Sequence, residues 1–278
     1  MLKSIIPFFL ISILLLISCS KKEDIKVGEL TKTEINEQMI EAYNEGLVAL
    51  DNNDGLTAAK KFSEAEILFP QSIWAPRSTL MTAYSYYTYG YYVDCISEIQ
   101  RYLDTYPLHD RKDYAYYLLG LSYYEQIVDE KKDLEPIINA KKYFNVVVDN
   151  YKDTDFAIDS SYKLELINEI LASKEMYIGR YYVEKEKWIP AINRFKIIVS
   201  DYDTTVFIEE ALHRLVEIHY KIGLIDESKK YAQVLGYNYN SSKWYEKSYQ
   251  VFNKDYQKVR KKKKKEKTLI RRLKSLIN

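Results

Sequence analysis

The chain has 278 residues and a mass of 33.0 kDa, with 41 Lys/Arg against 40 Asp/Glu, 47% hydrophobic residues, 28 Tyr, only 8 Gly and 6 Pro. So few turn formers, against a usual share of about 12% for Gly plus Pro, exclude an all-β sandwich and a loop-rich enzyme, and this much apolar surface excludes a disordered protein. The near-neutral total hides an asymmetry: residues 254–278 carry 12 Lys/Arg and 2 Asp/Glu, which leaves 29 basic and 38 acidic residues in the preceding body. An acidic helical body with a basic tail is therefore expected.

Residues 1–18 read as an export signal. Lys3 precedes an apolar run from Ile5 to Ile17, about 13 residues, which is shorter than the ~20 needed to span a bilayer as a helix. The run ends in Leu16-Ile17-Ser18-Cys19, which resembles the lipobox of bacterial lipoproteins. That resemblance implies cleavage before Cys19, alkylation of its thiol with diacylglycerol, palmitate as a further acyl chain on the new N-terminal residue, and a membrane anchor without a transmembrane helix. Ser20, in place of an Asp, implies the outer membrane rather than inner-membrane retention. Residues 19–35 read as a polar tether. Cys95 is then the remaining cysteine, has no disulfide partner, and falls inside a helical apolar pattern as a small buried residue.

Residues 36–240 hold a repeat of about 34 residues. From Gly46, offsets of 12, 16, 19 and 24 reach Ala58, Phe62, Ala65 and Pro70, the small, aromatic and proline positions of a tetratricopeptide helix-turn-helix unit. From Ala83 the same offsets reach Cys95, Ile99, Tyr102 and Pro107, and from Gly179 the first three reach Ala191, Phe195 and Ile198. A weaker unit opens at Gly120 and Tyr123, with a second helix from Ala140 to Val148 that arrives eight residues late; the last contains Val216, Ser228, Ala232 and Leu235. Asp51 to Gly55 reads as an interhelix turn, and Asp159-Ser160-Ser161 as caps for a long helix from Tyr162 to Glu184. The expected fold is all-α: a right-handed superhelix of about five tetratricopeptide-like units, with an extra C-terminal helix and basic tail in residues 241–278.

Chemistry is not evident. His213 and His219 are six apart and face different sides of a helix, the turn from Asp51 to Gly55 lacks the alternating ligands of a calcium loop, and nucleophile and phosphate-binding motifs are missing. No catalytic residue, metal or cofactor is expected, and the chain reads as a binding protein. Tyr84, Tyr86, Tyr87, Tyr89, Tyr91 and Tyr92 crowd one stretch and Tyr114, Tyr116, Tyr117, Tyr123 and Tyr124 the next; they serve either seam packing or a groove for aromatic-rich peptides.

Taken together, the lipobox, five repeats, the delayed helix and a set of local strings resemble the BamD family, lipoproteins of the outer-membrane β-barrel assembly machinery. The strings include Phe69-Pro70-Gln71-Ser72 with Trp74, Ala83 to Tyr87, Asp113 to Leu118, Gly179-Arg180-Tyr181-Tyr182 with Trp188, Ala191 to Arg194, and Ser241 to Tyr245. The resemblance implies a scaffold, not an enzyme, that binds a periplasmic domain of BamA and other Bam lipoproteins and receives unfolded outer-membrane proteins. It places Arg194, Tyr181, Tyr182 and Trp188 at the BamA contact and Trp74, Tyr84 and Tyr87 on the substrate side. Lys152 and Asp203 stand where the family pattern has proline. The second reading is a periplasm-facing tetratricopeptide adaptor for peptidoglycan or cell-division enzymes. Export makes nucleic acid an unsuitable partner for the lysine run. The tail, with Leu269, Ile270, Leu273, Leu276 and Ile277 on one helical stripe, reads as a basic amphipathic helix for an acidic partner domain or anionic headgroups.

Overall fold

The computed structural model describes residues 31–128 and 134–253. Among them are eleven α-helices and no strand: α1 Lys32–Asp51, α2 Gly55–Leu68, α3 Ala75–Thr88, α4 Tyr92–Thr105, α5 Lys112–Tyr124, α6 Glu135–Asn150, α7 Asp155–Glu184, α8 Trp188–Asp201, α9 Ile208–Lys221, α10 Ile225–Asn238 and α11 Lys243–Phe252. Each packs on the next in sequence, and α11 rests on α9 and α10. Helices α1 to α10 form five two-helix units in the expected order, and α11 is the extra C-terminal helix. The predicted signal peptide, Cys19 and the basic tail lie outside the described residues.

The small-to-large offset of 16 is a packing rule in this array. A Cβ placed on Gly46 would lie 2.8 Å from Phe62, and one on Gly179 would lie 2.5 Å from Phe195. In the third unit the same pair is Gly120 and Phe144, at 2.7 Å, and the offset is 24 because the second helix is delayed by eight residues. Phe62, Phe144 and Phe195 are each 0% exposed. A fully buried phenyl ring contributes roughly 1.5–3 kcal/mol by area, and here the close helix crossing that glycine permits is what hides it. The core is a chain of local clusters centred on the successive seams, such as Met39 with Phe62, Cys95 with Ile99 and Tyr102, Ile137 with Phe144 and Ile167, and Phe195 with Leu215.

One turn recurs at every junction between units. The N–H of Ser72, His109, Thr154, Thr205 and Ser242 donates to the carbonyl of Phe69, Tyr106, Tyr151, Tyr202 and Tyr239, respectively, at 3.0–3.1 Å. In three of them the hydroxyl then caps the next helix: Ser72, Thr154 and Ser242 accept from the N–H of Ala75, Ala157 and Tyr245 at 3.1–3.2 Å. Lys152 and Asp203 follow Tyr151 and Tyr202 in this turn without proline, because the hydroxyl chemistry three residues after the aromatic holds it.

Two expected boundaries move. Asp159, Ser160 and Ser161 are not caps: α7 starts at Asp155 under Thr154, four residues ahead of Asp159. Asp159 instead accepts from the Tyr117 hydroxyl at 2.9 Å, and Ser161 bonds back to the Ala157 carbonyl. The expected tether is already helical from Lys32, because Thr31 and Glu34 satisfy each other's backbone N–H in a capping box. The turn from Asp51 to Gly55 forms as expected, with Asp54 accepting from the N–H of Thr57 at 3.1 Å.

Candidate functional site

The residues expected to bind fall in both halves of the array, but those of the N-terminal half do not line its cavity. A cavity of about 490 Å³ opens around the junction of the second and third units, with Leu80, Met81, Tyr114 and, from α7 of the fourth unit, Phe156 as its apolar part and Arg77, Asp110 and Arg111 among its lining. Arg111 is there because of a substitution in the junction pattern. Five residues after the leading aromatic, the other junctions place Trp74, Phe156, Phe207 and Trp244, and the second unit places Arg111. Three residues after it, where the others have a hydroxyl, stands His109, whose Nδ1 faces the Tyr102 hydroxyl at 2.6 Å and accepts from the Arg111 N–H at 3.4 Å. The aromatic of the other junctions is thus replaced by a cation where the second unit meets the third. Burial pushes the Tyr114 phenol well above its ordinary pKa, so it stays a neutral donor.

Trp74 sits at the start of α3 and packs edge-on against Tyr43 at 5.3 Å, capping the first seam, while the Arg77 guanidinium lies 5.3 Å over its indole ring. Through Arg77 it supports the cavity without lining it. Tyr84 is partly exposed, and Tyr87 packs between the second and third units, with its phenol raised to about 12 by burial and nearby Glu125. Neither lines the cavity. Sequence reading missed Arg77, Met81, Arg111 and Phe156; aligning the junctions on their aromatics would have exposed Arg111 as the odd residue.

In the C-terminal half, Tyr181 and Tyr182 end α7 and Trp188 starts α8. The two tyrosine rings lie 5.8 Å apart, Tyr181 is half exposed, and Tyr182 and Trp188 pack against the core. Lys221 from α9 places its Nζ 4.0 Å over the Trp188 ring. Arg194, further along α8, is not free: its Nη1 is 3.0 Å from Glu175 on α7. On α7, Arg180 forks onto Glu210 of α9 at 3.0 Å through Nε, and Arg214 shares the same carboxylate. Glu210 is buried, which opposes ionisation, but the two guanidiniums hold its carboxyl below the ordinary value. This half therefore carries guanidiniums paired with Glu175 and Glu210, an indole under a lysine and an exposed phenol.

Comparison with known proteins agrees with this architecture. The family model YfiO, outer membrane lipoprotein, matches residues 35–235. The chain is 40% identical over 215 residues to the outer membrane protein assembly factor BamD of Rickettsia prowazekii, covering 77% of this chain and 85% of that protein. It is 38% identical over 211 residues to the factor of the same name from Caulobacter vibrioides, covering 76% and 69%, and 30% identical over 189 residues to that of Neisseria gonorrhoeae, covering 64% and 70%. The array of paired helices and these matches make the chain a member of the YfiO family of outer membrane lipoproteins.

Proposed function

We propose that this chain is the BamD-type subunit of an outer-membrane β-barrel assembly complex, a non-catalytic scaffold that holds BamA by its C-terminal half and receives unfolded outer-membrane proteins in its N-terminal half. The relatives' name, outer membrane protein assembly factor, supports the assembly role. The observation that carries the division of labour is the cavity at Arg77 and Arg111. Two guanidiniums beside an apolar pocket, against the one carboxylate of Asp110, suit an extended, aromatic-rich chain with a carboxylate, and the pocket lies around the junction of the second and third units, away from the C-terminal end of the array. In the other half, Arg194 meets a periplasmic domain of BamA, with a partner carboxylate replacing or sharing the position of Glu175, and Tyr181, Tyr182 and Trp188 supply the apolar contact.

The lipidated Cys19 would anchor the chain to the outer membrane on its periplasmic face. Among the described residues no helix is long and apolar enough to cross a membrane. Depletion tests the reading: β-barrel proteins of the outer membrane should fall, and a pull-down from solubilised membranes should recover an Omp85-type protein with other Bam lipoproteins. Unchanged barrel levels, with peptidoglycan or division enzymes recovered instead, would show an envelope adaptor.

A further inference from the structure

Among the described residues, the first helix of the array has a side on which no other helix packs. Helices α3, α5, α7 and α9 each pack on the second helix of the unit before them, whereas α1 packs on α2 and has no preceding unit among the described residues. Repeat arrays normally close such an end with a polar face. Here Ile40 and Val48 are left 41% and 60% exposed, and they line a groove of about 840 Å³ between α1 and the start of α2. Carboxylates surround that apolar strip: Glu37, Glu41 and Glu45 from α1 and Asp54 from the turn. The lysine in the groove, Lys61, is already held by Glu45 at 2.7 Å and Glu64 at 3.1 Å. An apolar floor inside an acidic rim selects an amphipathic segment whose polar side is cationic.

The chain itself contains one. Residues 254–278 lie outside the described structure, and their sequence combines 12 Lys/Arg against 2 Asp/Glu with Leu269, Ile270, Leu273, Leu276 and Ile277 at helical spacing. We propose that this C-terminal segment docks in the groove of its own chain, laying its apolar stripe on Ile40 and Val48 and its cations on the glutamates, and so closes the open end of the array. The 15 residues between Asn253 and Leu269 can span up to about 50 Å, which carries the apolar stripe well away from α11. The docked segment would turn the charge asymmetry of the chain into an internal contact and leave the Arg111 cavity open. This proposal is independent of the assembly role.

Cross-linking in the full chain tests it. Val48→Cys and Leu273→Cys are combined with Cys19→Ser, and the buried Cys95 stays silent. A disulfide within one chain is expected, and reversing Glu37→Lys and Glu41→Lys together should lower its rate about tenfold, as should raised salt. Ile189→Cys, exposed but far from α1, should react with Leu273→Cys at least several-fold more slowly than Val48→Cys. Absence of the disulfide in a chain with unchanged circular dichroism, disulfide-linked dimers in its place, equal rates at the two positions, or efficient linkage of Val48→Cys to Ile25→Cys in the N-terminal segment would each overturn it.

Discussion

Phe195 lies so close to Gly179 that a methyl group on the glycine would fall 2.5 Å from the ring. Since real contacts of that length do not occur, Gly179→Ala has to push α7 and α8 apart. Overpacking of this kind costs about 1–3 kcal/mol, less the ~1 kcal/mol that alanine gains in helix propensity. The melting temperature should fall, and Phe195→Leu in the same chain should restore part of it. A double-mutant cycle by thermal melting checks this: additive losses would mean that the pair is not in contact.

The Arg101 guanidinium forks onto Glu66, donating through Nη1 at 2.8 Å, while Tyr106 donates its hydroxyl to the same carboxylate at 2.8 Å and Glu98 takes the other side of the guanidinium. Glu66 is nearly buried and Arg101 is not, so the two deletions are unequal. Arg101→Met strands a carboxylate in the interior and should cost about 2–4 kcal/mol; Glu66→Gln keeps a hydrogen-bonding group and should cost about 1–2 kcal/mol. Urea melts of both variants measure the difference.

Acid should weaken the same clamp. Burial opposes ionisation of Glu66, but Arg101 and Tyr106 overcome it and hold the carboxyl below its ordinary value of 4.5. A carboxyl that ionises more readily folded than unfolded stabilises the protein above pH 4.5 and loses that contribution as pH falls through the lower folded value. Glu210 behaves in the same way. Stability should therefore drop on acidification below about pH 4.5, and Glu66→Gln should flatten part of that slope in melts taken from pH 6 downward.

Arg111→Phe would restore the aromatic that the other junctions carry and close the cavity at the junction of the second and third units. Folding stability should change by no more than about 1 kcal/mol, while capture of unfolded barrel peptides should fall. A fluorescence titration with labelled peptide separates the two effects, and undiminished binding would remove the cavity from the client site.

At the other end, Arg194→Glu would set two carboxylates against each other and should abolish recovery of a BamA-type partner with little change in circular dichroism. Glu175→Gln, by releasing Arg194 from its internal partner, should leave recovery intact or raise it. Pull-down from solubilised membranes reads both.

The units themselves were legible because their rule is steric: Gly46, Ala83, Gly120 and Gly179 mark the close crossings, and the eight-residue delay before Phe144 was visible as a shifted offset. The start of α7 was misread, since Asp159-Ser160-Ser161 looks as good a cap as Thr154, and only the turn from Tyr151 decides between them. The candidate sites were harder. Trp74 and Arg194 were found by resemblance, yet whether a side chain is free depends on partners distant in sequence: Glu175 occupies Arg194, and the core claims most of Tyr87. Arg111 was hidden because it is an absence, a missing aromatic, which shows only when junctions are compared with one another.

Helix α7 has 30 residues, about 45 Å of continuous α-helix. Phe156, at its first turn, borders the cavity at Arg111, and Glu175, Arg180 and Tyr181 lie in its last turns. The helix thus works mechanically as a strut. A load applied at one end is delivered at the other without being absorbed by a joint between them, so the separation of the two candidate regions is set by one uninterrupted rod.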